Sequence, residues 1–369
     1  MTLNLISIAQ QAVFIAMGIA GMGFLIGFHE LGHFIFAKLF NISTPSFSIG
    51  MGPKILKKKI GETEFSLSAL PLGGYVEIAG MAEVAQGEQK EAHRTDNRSF
   101  AAKPYWQKLL VMFGGILFNL IFAYVALSAL YYIGMPHTPL ILASHKTTQV
   151  CQIIPGSPAE QFGLSKGDII TKVNETSVSN NPELLIQTLQ TIPGQKAQLT
   201  VERSGEILNL DVEVGSHSVA NKNQGFIGVD FELKKPNGIF ESLKYGFELT
   251  QALIIELFKS FKNIFIQRDT KNLCGPLMVI SQTVKGAEKG FSYFLLLLAF
   301  ISINLAVLNI IPLPIMDGGQ ILFYTLEAIF RRPLPTQVRE YIHIASWIGI
   351  MLLILYLSFK DIVRMFFTH

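Results

Sequence analysis

The chain is predicted to be an α-helical membrane protein with four transmembrane helices, a membrane-associated β-region and one small soluble module, and three observations predict this. Half of its residues are apolar and only 15% are charged, a balance suited to lipid as solvent. Four apolar segments each approach or exceed the roughly 20 residues needed to cross a hydrocarbon core. Between the second and third of them, over residues 147–231, hydropathy falls and the pattern changes to short alternating runs. The net charge of +3 is small and scattered, which excludes the concentrated basic face of a nucleic-acid binder.

The first apolar segment, Leu5–Phe36, has no Lys or Arg before Lys38 and no small-residue cleavage site, and it carries His and Glu. It is therefore expected to be retained as a helix rather than removed as a signal peptide. Next, residues 47–75 alternate glycines and prolines with apolar-polar runs such as Phe65-Ser66-Leu67-Ser68-Ala69-Leu70. The period of two predicts strands. Irregular backbone beside a membrane survives only where protein or water satisfies it, so a hairpin tucked against the helices is expected. Its edge would be able to pair with an extended peptide; an ordinary cytoplasmic hairpin fits the pattern equally well. Residues 81–98 are polar and are expected to form a solvated loop.

The remaining membrane segments are Leu109–Ile133, Phe291–Ile311 with a polar-interrupted continuation to Phe330, and Ile342–Phe359. Residues 238–266 place Phe240, Leu243, Phe247, Leu253, Leu257 and Phe261 at near-helical spacing among Lys244, Lys259 and Lys262. That predicts an amphipathic helix lying on the membrane, in preference to a fifth span with charges at mid-bilayer. Cations cluster between the first two segments, from Lys38 to Lys108, and in the last short connection at Arg331, Arg332 and Arg339. By the positive-inside rule both connections are cytoplasmic, and both termini and the soluble module lie outside.

Within that module, Val150–Ile154, Gly167–Asn174, Ala197–Val201 and Leu208–Val214 read as strands, while Ser157-Pro158 and Pro182 open helices. Cys151 and Cys274 lie far apart in unrelated contexts, so neither a disulfide framework nor a CxxC site is available. Any metal is expected to rely on His and carboxylate.

The residues that carry chemistry begin with His29-Glu30-Leu31-Gly32-His33. Imidazoles four residues apart share one helix face and can reach a single ion, while Glu30 projects beside that ion, where a general base is needed. Placing an ionisable side chain at mid-bilayer costs on the order of 2.5–3.5 kcal/mol, and a dication is the simplest compensation. A catalytic zinc commonly takes three protein ligands and leaves one position open. Of the remaining carboxylates, Asp317 alone lies deep in a membrane segment, within Asn309-Ile310-Ile311-Pro312-Leu313-Pro314-Ile315-Met316-Asp317-Gly318-Gly319. Two prolines break the helix there and the glycine pair allows close approach. The alternative, compatible with ligation, is that Asp317 caps a helix restarting at Gly318.

Two resemblances follow. The order Pro-Gly-Ser-Pro-Ala, Gly163-Leu164, Gly167-Asp168-Ile169-Ile170, Val173-Asn174 resembles a circularly permuted bacterial PDZ domain. Together with HExxH on the first membrane helix, NxxPxPxxDGG on a later one and the Gly-rich strands between, it makes nearly the whole chain similar to the site-2 proteases, specifically their bacterial regulator-of-sigma-E branch. The resemblance implies one zinc per chain held by His29, His33 and Asp317, with Glu30 as catalytic base. It implies that Asn309 helps hold the substrate strand, that Phe65, Ser66, Leu67, Ser68, Ala69 and Leu70, within a β-region reaching Val76, pair with it, and that Asn119 is the family's polar position on the second membrane helix; an interhelical hydrogen bond would explain Asn119 equally well.

Expected boundaries are 1–37 for the first membrane helix, 38–108 for the cytoplasmic β-region, 109–134 for the second helix and 145–234 for the PDZ domain. A surface connector (235–288), the third helix (289–330), a cytoplasmic loop (331–340) and the fourth helix (341–363) complete the chain. The implied activity is cleavage of single-pass membrane proteins already shortened outside, such as an anti-sigma factor or signal-peptide remnants, in a bacterial inner membrane with the PDZ domain periplasmic. A PDZ ligand and membrane lipids are the other expected partners. The competing expectation is a membrane-anchored PDZ adaptor or a metal transporter without protease activity. The sequence departs from the family pattern in having Met316 where Leu commonly precedes the Asp, and one PDZ domain where two are frequent.

Overall fold

The computed structural model describes residues 5–81, 89, 91–138, 141–219, 222–267, 275–332 and 334–367. It divides into two compact units: residues 1–130 with 246–369, and Tyr131–Tyr245. Among the described residues, four helices are long and apolar enough to cross a membrane. They lie within α1 (Leu5–Leu39), α2 (Tyr105–Ile133), α7 (Phe291–Ile310) and α9 (Thr336–Phe367). Three further helices accompany them: α5 (Ile239–Gln267), α6 (Pro276–Glu288) and α8 (Asp317–Phe330). Helices α1, α2 and α7 show almost no polar side, as expected where both neighbours and lipid are apolar, whereas α5 and α9 segregate their polar residues.

Between α1 and α2 run two long strands, β1 (Ser46–Ile60) and β2 (Thr63–Val76). Each bends, so the pair makes four lanes. Lys54–Ile60 pairs with residues 63–68; those pair in turn with Ser46–Ile49, which also pairs with residues 74–76. Only two segments are therefore left at the edges. The outer one carries Lys54, Lys57, Lys58 and Lys59, charges that discourage strand addition; the inner one is Gly74-Tyr75-Val76. Of the residues expected to pair with a substrate, Ser68 and Leu70 each have one partner, Lys54 and Met51, whereas Phe65–Leu67 are already paired on both sides. A strand hydrogen-bonds two neighbours only, so their backbone is not a free edge.

A buried apolar cluster joins this sheet to the helices: Ala37 from α1, Phe47 and Val76 from the strands, Val111 and Met112 from α2, and Tyr324 from α8. The expected solvated loop is in part anchored. Ser43 N–H donates to the Arg98 carbonyl, Phe100 N–H to Ala79 and Gly80 N–H to Glu91, while residues 82–88 and 90 lie outside the described residues, as does Cys274.

The second unit carries β3 (Lys146–Ile153), β4 (Ile169–Val173), β5 (Thr176–Ser177), β6 (Lys196–Arg203), β7 (Glu206–Glu213) and β10 (Val229–Leu233), in the order β10-β3-β4-β6-β7 with β5 paired to β4. The sequence left β10 and a separate hairpin, β8 (Gly215–Val219) and β9 (Lys222–Phe226), unassigned. Short polar strands such as Ser216-His217-Ser218 have too little apolar alternation to be recognised. Helices α3 (Pro158–Gln161) and α4 (Pro182–Gln190) complete the unit. Both start at proline, and Asn181 caps α4 by accepting from Leu184 N–H at 3.0 Å. Inward residues Val150, Ile170, Val173, Leu185, Leu199 and Val201 form its core.

Asp168 is fully buried at the entry to β4. Its carboxylate accepts from Arg203 Nε at 2.7 Å, Arg203 Nη2 at 2.8 Å and Ser165 N–H at 2.8 Å. Burial by itself would raise its pKa, but these donors hold the carboxyl below the ordinary carboxylate range. Asp168→Ala strips the bidentate partner from Arg203 and leaves the Ser165 amide unpaired. It is expected to destabilise this unit by about 3 kcal/mol, measured in the full-length chain as faster hydrogen exchange in β3, β4 and β6 with exchange in α1 and α2 unchanged.

Candidate metal centre

The site lies in the first unit and is built from helices that cross with their backbones nearly touching. A Cβ on Gly32 would sit 2.1 Å from the Gly114 carbonyl oxygen, and one on Gly114 would sit 2.6 Å from that of Gly32. Only glycine at both positions lets α1 and α2 approach this closely, the small-residue packing characteristic of membrane helices. The crossing brings the two imidazoles of α1 against α2, where the next residue, Gly115, forms their floor. A Cβ there would lie 2.4 Å from His33 Nε2 and 2.5 Å from His29 Cε1.

Helix α2 also sets the orientation of the imidazoles. His33 Nδ1 donates to the Val111 carbonyl at 2.8 Å, which fixes the tautomer and turns the Nε2 lone pair inward. His29 makes a backbone hydrogen bond with Gly115, and its Nδ1 lies 3.1 Å from Asn119 Nδ2. Asn119 is fully buried, and its backbone carbonyl accepts from Ser302 Oγ of α7 at 2.9 Å. Asn119 thus lies beside His29 and at the contact between α2 and α7.

The third group comes from the break between α7 and α8. Pro312 and Pro314 cannot continue a helix, and the intervening chain turns on its own bonds: Leu313 N–H to Ile311 O at 2.7 Å and Met316 N–H to Leu313 O at 2.8 Å. Gly319 packs so close to this turn that a Cβ would lie 2.0 Å from the Leu313 carbonyl. Asp317 is not the cap of the restarted helix; Met316 occupies that position without a side-chain cap bond, and Asp317 is the first helical residue. Its side chain is directed to the histidines instead, with Oδ2 3.4 Å from His29 Nε2 and Oδ1 3.5 Å from His33 Nε2.

His29 Nε2 and His33 Nε2 are 3.2 Å apart, and each faces its own oxygen of the Asp317 carboxylate at a similar distance. Tetrahedral zinc with bonds of about 2.0–2.1 Å separates its ligand atoms by about 3.3–3.4 Å. Moreover, Asp317 Oδ2 is buried and has no hydrogen-bond partner, an arrangement that is costly without a cation. The set of two imidazole nitrogens and one carboxylate thus fits zinc in size, donor type and unmet valence.

Around it, Asn309 at the end of α7 has Nδ2 3.5 Å from His29 Nε2. Glu30, half-buried, lies against the inner sheet edge, its Cγ 3.5 Å from where a Gly74 Cβ would be. Two contributors had no role in the sequence reading. Gly115 was visible only as one of a glycine pair in an apolar helix. Gln320 supports the turn by donating Nε2 to the Pro314 carbonyl at 2.9 Å, and it contacts His343 and Arg339 of α9. A polar side chain inside a membrane segment is the signal that could have singled it out.

Gly115→Ala inserts a methyl where the imidazoles converge. The variant is expected to fold yet bind zinc at least about 10-fold more weakly than the parent, read by competition with a chromogenic chelator on detergent-purified protein.

Residues 17–355 match peptidase family M50. The chain is 32% identical over 355 residues to a Campylobacter jejuni protein that is a zinc metalloprotease by name, covering 93% of this chain and 91% of that one. It is 29% identical to one so named in Clostridium perfringens, covering 95% and 99%. It is 27% identical to the zinc metalloprotease RasP of Oceanobacillus iheyensis, covering 93% and 97%. A site of two histidines and an aspartate among apolar helices, within a chain matched to the family along most of its length, makes this protein a zinc metalloprotease of peptidase family M50, the site-2 proteases.

Proposed function

We propose that the chain cleaves membrane-spanning segments of proteins within the bilayer, using His29, His33 and Asp317 to hold zinc and Glu30 as general base. The observation that carries this reading is the convergence of the three donors on helices apolar enough to lie in lipid. Zinc bound there would supply a Lewis acid that polarises the scissile carbonyl and acidifies a water. Glu30 then accepts the proton of that water and returns it to the departing amine. Val111 and Gly115 keep both imidazoles aimed, and Asn309 is close enough to hold an extended backbone beside them.

A substrate helix hides its carbonyls in its own hydrogen bonds, so it must unwind before attack. Replacement partners are available at the inner sheet edge, Gly74–Val76, which lies beside Glu30 and pairs with no further strand among the described residues. We assign strand addition to that edge rather than to Phe65–Leu70. In the second unit, the strand order with α4 beside the sheet supports a PDZ-type module that controls which trimmed proteins enter. The concentration of cations from Lys38 to Lys108 and at Arg331–Arg339 supports a cytoplasmic placement of the β-region, with the termini and PDZ-type module outside a bacterial inner membrane. Substrates fitting this arrangement are single-pass proteins already shortened outside, an anti-sigma factor or a signal-peptide remnant among them. The amphipathic α5 suits the lipid surface.

Glu30→Gln is expected to retain zinc while cleavage of a model transmembrane substrate falls by about 10²–10⁴; unchanged cleavage in that variant would overturn the role of Glu30. In the same background, freed of native cysteines, a cysteine replacing Tyr75 is expected to cross-link to a cysteine-bearing substrate segment in higher yield than one replacing Ser66. The reverse order would move the docking strand away from the inner edge.

A further inference from the structure

A second cluster of ligand atoms stands apart from the intramembrane site, wholly within the second unit. His137, Cys151 and Glu232 each offer one donor atom, and these lie within 4.8 Å of one another. Val150 and Phe231 point into the core, so their successors Cys151 on β3 and Glu232 on β10 emerge on the opposite face of two paired strands. His137, in the segment that follows α2, lies over them with Nδ1 3.6 Å from Cys151 Sγ.

We propose that His137, Cys151 and Glu232 form a second site for a borderline divalent cation of the zinc class. Tetrahedral zinc with a sulfur at about 2.3 Å and a nitrogen at about 2.0–2.1 Å holds those two atoms about 3.6 Å apart, the separation found here. That distance suits a hydrogen bond to sulfur, and it equally matches two ligands of one ion. Thiolate, carboxylate and neutral imidazole together carry two negative charges, balanced by one dication. The neighbouring cations fill this role only in part. Lys146 is engaged by Asp230, and Lys235, 81% exposed, contacts Glu232 through Oε1, which leaves the carboxylate its second oxygen. Three ligands leave the fourth position to water. An ion bound here would pin residues 134–138 against β3 and β10, and it raises the capacity of the chain from the single zinc expected to two.

The test uses the full-length chain in detergent, reduced, stripped with chelator and titrated with cobalt(II). Wild type is expected to bind two equivalents and to show a near-ultraviolet thiolate-to-cobalt charge-transfer band. Cys151→Ser should lose the band and one equivalent, whereas Cys274→Ser keeps both. Asp317→Ala should lose the other equivalent and keep the band, so failure of either site is seen separately. His137→Ala, at an exposed position where folding is not at issue, should weaken the band-forming site at least about 10-fold. Absence of the band in wild type, or its persistence in Cys151→Ser, overturns the proposal.

Discussion

The intramembrane centre depends on one contact, the crossing of α1 and α2 at Gly32 and Gly114. With any side chain at either glycine the helices would separate, and the Val111 carbonyl and Gly115 backbone that aim the two imidazoles would move out of reach. In lipid, a histidine deprived of its partner has no water to replace it, so the geometry of the candidate metal ligands and the packing of the backbones are a single requirement. Asn119, bonded through its carbonyl to Ser302, carries the same requirement on to α7.

From α7 the constraint passes to the proline-broken turn. Proline ends the helix, but the turn remains ordered because its amides find carbonyls within residues 308–320 and Gln320 takes up the one at Pro314. Asp317 is thereby delivered as the first residue of a new helix. The positive end of that helix favours a carboxylate, although one of its oxygens still lacks a hydrogen-bonding partner. That deficit, opposite two inward-facing lone pairs, gives the site its appetite for a cation.

The β-region adds a polarity of its own. Its outer edge is lined with lysines that oppose strand addition, while its inner edge, short and glycine-containing, lies next to Glu30. Two edges of one small sheet are therefore not equivalent, and under the proposed function an extended chain would add at the inner one, beside α1. In the second unit, strand pairing plays a comparable part by turning Cys151 and Glu232 out on one face, within reach of His137.

The sequence by itself determined what depends on spacing and hydropathy. Apolar length gave the four membrane helices, a four-residue interval put His29 and His33 on one face, and the prolines with Asp317 marked a break where a ligand was needed. Tertiary structure decided what depends on neighbours distant in the chain. Periodicity reports which residues alternate but not which strand lies on either side, so Phe65–Leu67 looked like an edge and proved to be paired on both sides. The close crossing at Gly115, the support from Gln320 and the meeting of His137 with Cys151 and Glu232 are equally invisible to local pattern, because each is made by residues that only the folded backbone brings together.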